Sequence, residues 1–546
     1  MISLEEQIKK RLAVLYPDHN PLTIFEACTS VLGSYPSGLN KSRWSQKDAI
    51  LICYPDQVVA DNEAPLATLK TVLTEFGASF SLVHILPFFP SSSDGGFAVI
   101  DHRKVSSEFG SWEDIESIVA DSGVMADLVL NHVSSRHRWV QEFRRNAEPG
   151  SKCLKTASPD EDLSKVVRPR TSDLLVEMET DAGPKYLWCT FGPDQIDVDW
   201  AEPEVLLEML RALERMLSAG IRWVRLDAVA YTQKVVGTKC VHLKETHELV
   251  RLLRDLLKWR CPDAVLVTET NVPHDENLSY LRDGEQAHVA YNFTLAPLLA
   301  SSLLLGTSTE LAKWLKDAES PPSETTLINF LGSHDGIGLR PVEDILSIED
   351  LRALIAAAER AGGTWSGHMS GEETRPYEIN VAPASLFGLD RLLMGHTLLA
   401  SFKGIPAYYF PALEGEPNDL EAVEIEGHNR AINRPKRTAA SRIRALNDAR
   451  TDSRDELIRR LSLRQEISAF HPEAQQRILD LENPLLGIVR GEGPISVTVV
   501  ANLGFRATNY VIDEPAFDFL SGQTLHGAVS VAPSEVLWLS MADMSH

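Results

Sequence analysis

LLEMLRALERMLSAGIRWVRLDAV, residues 206–229, is the stretch whose reading decides the fold. Leu206, Met209, Leu210, Leu213, Met216 and Leu217 recur at steps of three and four, one apolar face of a helix, and Gly220 stands where a helix ends. The residues just after it, Trp223-Val-Arg225-Leu-Asp227, form a short β-rich run. A helix that opens directly onto a strand is half of a βαβ unit, and the alternation recurs along the chain. Strands are expected at 49–54, 83–88, 124–130, 223–229, 265–270, 288–293, 325–331 and 405–410, with helical segments between them. Eight strands in that alternation predict an α/β fold, a TIM (β/α)8 barrel, with its chemistry on the loops that follow the strands.

Two of those loops exceed plain connections. Residues 131–200, after the third strand, carry Pro, Gly, charge and the run RPRTSDLL, which predicts an inserted subdomain. Residues 336–390, after the seventh, hold Gly362, Gly363, Gly367 and Gly371 and few long apolar runs, which predicts a long mobile loop over the active face. From 484 the pattern changes to short strands without helices, so a small all-β C-terminal domain is expected over 484–546. The barrel is then left with 1–130 and 201–483.

The chain has 546 residues, 44% hydrophobic and 24% charged, the composition of an ordinary globular protein. A net charge of −24 repels phosphate backbones and anionic lipid heads, so neither nucleic acid nor a membrane surface is an expected partner. Cys28, Cys53, Cys153, Cys189, Cys240 and Cys261 are scattered without CxxC pairs, which suits a reducing compartment. MISLEEQIKKRLAVLYP at the N-terminus lacks the basic start and apolar core of a signal peptide, and no stretch reaches about 18 uninterrupted apolar residues. The expectation is a cytoplasmic protein, monomeric or homodimeric.

The strand ends locate the chemistry. The third run ends Asp127-Leu-Val-Leu-Asn131-His132, the fourth Arg225-Leu-Asp227, the fifth Val267-Thr-Glu269-Thr-Asn271 and the seventh Asn329-Phe-Leu-Gly-Ser-His334-Asp335. Taken singly, a strand-end Asp or Glu is more often a cap or loop ligand than a catalyst, and His132 a packed, hydrogen-bonded side chain. Four strands of one series ending in titratable residues is the stronger pattern. Retaining glycosidic transfer needs a nucleophilic carboxylate, a second carboxyl held protonated about 5 Å away, and a third to steady an oxocarbenium-like charge. Asp227, Glu269 and Asp335 fit those three tasks. Arg225 shares a strand face with Asp227 and would keep it ionised, whereas Glu269 needs a raised pKa. The insertion shows no carboxylate cluster at calcium-ligand spacing, so neither metal nor cofactor is expected.

The stretches DLVLNH (127–132), VRLDAV (224–229), VTETN (267–271) and FLGSHD (330–335) resemble the four short regions of the α-amylase superfamily of retaining glycoside hydrolases and transglycosylases. The resemblance implies Asp227 as nucleophile, Glu269 as general acid and base and Asp335 as transition-state stabiliser, with His132, Arg225 and His334 lining a glucose subsite. HILPFFPSSSDGGFAVIDHRKV (84–105), TFGPDQIDVDW (190–200), SHDGIGLRP (333–341) and AINR (431–434) are similar to the sucrose phosphorylase branch. That likeness implies a clamp of Asp94 and Arg434 on the far hydroxyls of one terminal glucose, an apolar wedge of Phe97 and Phe191, and Gln195 in the same subsite. It also implies that inorganic phosphate replaces water as the attacking group, held with the acceptor by Arg168, Arg170, Tyr231 and Tyr377.

Asn271 and Glu378 stand where the sucrose enzymes carry His and Gln, and both are assigned to the acceptor side. NDLEAVEIEGHNRAINR (418–434), KVVRPR (165–170) and the chain length more closely resemble the glucosylglycerate phosphorylases. The implied activity is reversible phosphorolysis of 2-O-α-D-glucosylglycerate by double displacement, with sucrose or glucosylglycerol phosphorylase as the alternative. The implied partners are a small-molecule glucoside and phosphate. A catalytically silent carbohydrate-binding relative is disfavoured because all three carboxyls are present.

Overall fold

The computed structural model describes residues 2–33, 43–170, 172–370, 373–445 and 448–541; Gly371 lies outside the described residues. Eight parallel strands close into the expected barrel: β1 Ile50–Cys53, β2 Leu82–Ile85, β3 Gly123–Val129, β4 Trp223–Asp227, β5 Val265–Thr268, β6 Val289–Tyr291, β7 Thr326–Asn329 and β8 Ile405–Tyr409. β8 pairs back onto β1, which leaves no open edge.

The deciding stretch folds as read. The helix Pro203–Ser218 has Pro at its first position and buries Val205, Leu206, Met209, Leu210, Leu213, Met216 and Leu217. Gly220 follows at φ 88°, and a Cβ there would stand 2.7 Å from the Val119 side chain, so only glycine makes this turn. In β4 the alternation turns Arg225 and Asp227 into the barrel. β4 stops at Asp227, two residues short of the expected end, because Ala228 adopts a left-handed conformation (φ 51°) and enters a tight turn over Val229–Tyr231.

The barrel interior is not purely apolar. Tyr291 Oη lies 3.2 Å from His84 Nδ1, His84 Nε2 lies 2.8 Å from Asp127 Oδ2, and Asp127 Oδ1 accepts from Arg225 Nη1. Burial opposes the charge on Asp127, but Arg225 and His84 outweigh it and bring this carboxyl down to about 2. An ionised Asp127 accepts the hydrogen bond of His84 Nε2–H, and the Tyr291 hydroxyl lies against Nδ1. The file spans the barrel from β6 to β2 and hands a fixed guanidinium to β4.

After β3 the chain forms the antiparallel pair His132–Ser134 with Gln195–Asp197, the helix Arg138–Arg144 and the hairpin Leu175–Thr180 with Gly183–Trp188. Lys234, from the loop after β4, ties this excursion to the barrel. Its Nζ lies 2.7 Å from Asn131 Oδ1 and 2.9 Å from Asp197 Oδ2.

The region expected as a long loop, 336–390, holds regular structure instead. Ser347 caps the helix Ile348–Arg360, and Ile337–Gly338, Glu373–Asn380 and Thr364–Ser370 form a three-stranded sheet in that order. Two of the glycines that suggested a loop serve a turn: Gly362 has φ 83°, and Gly363 lies so close to Val381 and the Asn380 carbonyl that a Cβ would clash with both.

The C-terminal sheet has six antiparallel strands ordered Gln476–Leu479, Leu485–Arg490, Val497–Asn502, Val536–Ser540, Thr508–Asp518 and Gln523–Val531. It begins before 484, the expected boundary, because Gln476–Leu479 is short and half polar and gives a weak strand signal. Its inner face shares one apolar core with the barrel, and Trp538 donates to Ser401 Oγ at 2.9 Å. Among the described residues no helix is long and apolar enough to cross a membrane.

Candidate active site

The C-terminal ends of β3, β4, β5 and β7 converge on one cavity. Asp227, Glu269 and Asp335 line it, with Asp94, Phe97, His132, Phe191, Gln195 and His334 on the same walls and Arg170, Asn271, Tyr377 and Glu378 toward one side. The left-handed turn at Ala228 aims its backbone N–H at Glu269 Oε2, 3.0 Å away, which sets the Glu269 carboxyl beside Asp227.

Electrostatics separate the three carboxyls. Burial pushes both Asp227 and Glu269 above the ordinary carboxylate range, Glu269 adding to the rise at Asp227 and Asp335 to that at Glu269. Of these two, among the described residues, Asp227 is the one with a guanidinium in contact, Arg225 Nη1 at 2.8 Å from Oδ1. Within the pair, the Arg225 contact favours the negative charge on Asp227 and the proton on Glu269. Asp335 is held well below the ordinary range: burial works against its charge, and Arg430, His334 and Arg434 outweigh it. Burial also lowers His132 to about 4 and His334 to about 3, so both imidazoles are neutral hydrogen-bonding groups near neutral pH.

One end of the cavity is closed by Asp94 and Arg434, whose Oδ1 and Nη1 stand 4.0 Å apart. Gln195 Nε2 donates to Asp94 Oδ2 at 3.1 Å, and Arg434 Nε donates to the His334 carbonyl at 2.9 Å. Arg434 Nη1 and Nη2 are buried with no hydrogen-bond partner among the described residues, donors that favour hydroxyl oxygens. Phe97 stacks on His334 with ring centroids 5.2 Å apart, and Phe191 leans on His132 at 5.2 Å. Behind the closed end lies a second cavity, lined by Tyr54, Asp94, Gly95, Arg434 and Lys436, so Asp94 faces both spaces.

Another wall is built from the excursion after β3 and the sheet after β7, and a neighbouring cavity lined by Arg170, Tyr377 and Glu378 also reaches Asp94 and Gln195. Arg170 Nη1 donates to the Pro169 carbonyl at 2.9 Å and the guanidinium lies over the Phe191 ring, 5.5 Å from its centroid. Asn271 Nδ2 donates to Tyr377 Oη at 3.2 Å. Four expected residues do not line the cavity: Arg168, Tyr231, Arg225 and Arg434, the last of which stands behind Asp94. The chain bends at Pro169, so Arg168 turns away and its Nη2 donates to Ser172 Oγ at 2.8 Å. Tyr231 lies behind Phe191, ring edge to face at 5.5 Å, and backs the wall without forming it. Arg225 sits beneath the cavity, under Asp227.

Sequence reading missed Arg430 and Phe293, both on the cavity wall. Arg430 Nε and Nη2 donate to Glu378 Oε1 and Oε2, each at 2.8 Å, and Nη1 lies 2.5 Å from Asp335 Oδ1. No local pattern marks Arg430: it lies in the short turn Asn429–Asn433, and Arg434 follows it with a non-helical backbone. Glu378, expected at the acceptor, thus has both oxygens engaged by Arg430.

The model of the alpha amylase catalytic domain matches residues 73–336. A glucosylglycerate phosphorylase of Allomeiothermus silvanus is 37% identical over 552 residues, covering 98% of this chain and 98% of its own length. One of Escherichia coli is 37% identical over 467 residues, 82% of this chain and 83% of its own. The crystal structure of sucrose 6F-phosphate phosphorylase from Thermoanaerobacter thermosaccharolyticum superposes with a TM-score of 0.75 at 23% identity, over 89% of this chain and 98% of that one, a likeness of fold. With the four motif ends gathered at one cavity and sequence shared over nearly its whole length, the chain belongs to the α-amylase family, in the branch of the glucosylglycerate phosphorylases.

Proposed function

We propose that this protein is a retaining glucoside phosphorylase that converts 2-O-α-D-glucosylglycerate and phosphate reversibly to α-D-glucose 1-phosphate and D-glycerate. The observation that carries the reading is one cavity that gathers three carboxyls and carries the Arg170 guanidinium on its wall. Asp227 attacks the anomeric carbon while Glu269 gives its proton to the departing glycerate oxygen, and Asp335 steadies the positive charge that builds on the sugar. Phosphate then enters from the Arg170 side, gives a proton back to Glu269 and displaces Asp227. Two inversions leave the α configuration.

The two anions of the reaction, phosphate and the glycerate carboxylate, need a cation at the open side. Arg225 is committed to Asp127 and Asp227, and Arg430 to Glu378 and Asp335. Arg170 is the group whose geometry suits either anion, with Asn271 and Tyr377 offering neutral polar contacts to hydroxyls. No cofactor enters this scheme; phosphate is the second substrate.

The test is release of glucose 1-phosphate from glucosylglycerate, sucrose and glucosylglycerol, with and without phosphate. Phosphate-dependent release, with the highest kcat/KM on glucosylglycerate, is expected. Glucose appearing equally fast in phosphate-free buffer would overturn the proposal.

A further inference from the structure

Arg430 is a charged side chain on the cavity wall that the scheme above leaves without a task. It sits in the short turn Asn429–Asn433 after β8, its side chain 18% exposed. Its fork lies flat against the Glu378 carboxylate, two hydrogen bonds of 2.8 Å each, from the strand Glu373–Asn380. The same guanidinium turns its remaining nitrogen, Nη1, to Asp335 Oδ1 at 2.5 Å, close enough for a strong ion pair. That contact lies off the hydrogen-bonding direction, since Asp335 Oδ1 is without a hydrogen-bond partner among the described residues. The orientation of Arg430 is therefore fixed by Glu378, and Asp335 receives the charge of a guanidinium that another residue aims.

Glu378 is suited to aiming and poorly placed for binding. Its side chain is 4% exposed, both oxygens are taken, and a bidentate Arg–carboxylate pair is the most direction-specific ion pair available to side chains. Its strand is held between Ile337–Gly338 and Thr364–Ser370, so its backbone is fixed by pairing on both sides. A Gln at 378 would keep the shape and one acceptor oxygen, but lose the charge and the second acceptor.

We infer that Glu378 is a positioning residue for the glucosyl-transfer step: through Arg430 it fixes the carboxylate of Asp335, and it does not itself contact the acceptor. The inference rests on the proposed role of Asp335 and deepens it. It makes the sheet after β7, an element on the acceptor side, a determinant of chemistry on the sugar. Glu378 and Arg430 then act as one unit, so neither substitution adds to the other.

The experiment separates the two half-reactions. α-D-Glucosyl fluoride forms the glucosyl enzyme without glycerate or phosphate, and fluoride release in the first turnover reads that step alone. Glu378→Gln and Arg430→Gln are each expected to slow it by about a hundredfold, the cost of a misplaced catalytic group. The double variant is expected to be no slower than Arg430→Gln, Arg430→Lys to recover part of the loss by restoring charge without the fork, and circular dichroism to show all four folded. If Glu378→Gln forms the glucosyl enzyme at the wild-type rate and raises only the KM for phosphate or glycerate, Glu378 is an acceptor contact and the inference is wrong. Additive losses in the double variant overturn it as well. Wild-type enzyme that yields no glucose 1-phosphate from any glucoside sinks the proposed function instead, an outcome separate from either of these.

Discussion

At the scale of single residues, the division of labour between Asp227 and Glu269 comes from one guanidinium. Both carboxyls are buried and both are pushed up, and the Arg225 contact at 2.8 Å selects the one that stays charged. Glu269 as acid should matter in proportion to how much its leaving group needs a proton. Glu269→Gln is expected to lose about a thousandfold in kcat on glucosylglycerate, within the usual span for general acid catalysis, and far less on α-D-glucosyl fluoride, whose leaving group needs none. Parallel assays of glucose 1-phosphate and fluoride release check this. The proton on Glu269 also fixes the sign of the pH dependence. Its folded pKa is raised, so kcat/KM should hold until pH rises through that value and then fall, with the basic limb above the ordinary glutamate value of about 4.3. A pH profile whose basic limb fell at or below about 4.3 would contradict the assignment. The three carboxyls, His132, His334 and Arg225 were legible in the sequence because each ends or follows a strand of a countable series. Arg430 was not, since nothing local marks a residue whose meaning is set by Glu378, 52 positions away.

At the scale of elements, tight turns place the working groups. Asp94 and Gly95 both sit at positive φ, 53° and 59°, and a Cβ on Gly95 would fall 2.4 Å from Arg434 Nη1 and 2.6 Å from Tyr54 Oη. Gly95→Ala is therefore expected to push Arg434 off the sugar end and cost about a hundredfold in kcat/KM, with the circular dichroism spectrum unchanged. Lys234 binds two elements rather than substrate. Lys234→Met takes the ion-pair partner from the buried Asp197 carboxylate, leaving it the hydrogen bonds of Thr190, and should cost about 3 kcal/mol in a denaturant titration. Strand and helix periodicity made the barrel readable from sequence, yet the sheet after β7 read as a loop. Its strands are interrupted by Gly367 and Pro376, where the pairing register shifts, and such breaks erase the period-two signal. The first strand of the C-terminal sheet escaped for the related reason that four half-polar residues carry almost no pattern.

At the scale of the whole molecule, the C-terminal sheet is part of the body that holds the barrel. Trp538 is fully buried against Phe470, ring centroids 4.7 Å apart, and lies in the same apolar core as the barrel helices. Trp538→Ala should cost about 3 to 5 kcal/mol and lower a single cooperative transition, because barrel and sheet share that core. Two separate transitions in calorimetry would show that they unfold independently. The surplus of negative charge, −24 over the chain, sits around a cavity that collects Arg170 and Arg430 on its wall and Arg225 beneath. Composition thus spoke for the surface and was silent about the centre. The same centre is bounded on one side by Asp94, with Arg434 4.0 Å from it and a second cavity lined by both side chains. Selectivity for a single glucosyl unit is on this account a property of a partition and not of depth. Breach it with Asp94→Ala and Arg434→Ala together and the two chambers join into a tunnel, so that the degree of polymerisation the enzyme admits would be set by the length of the passage.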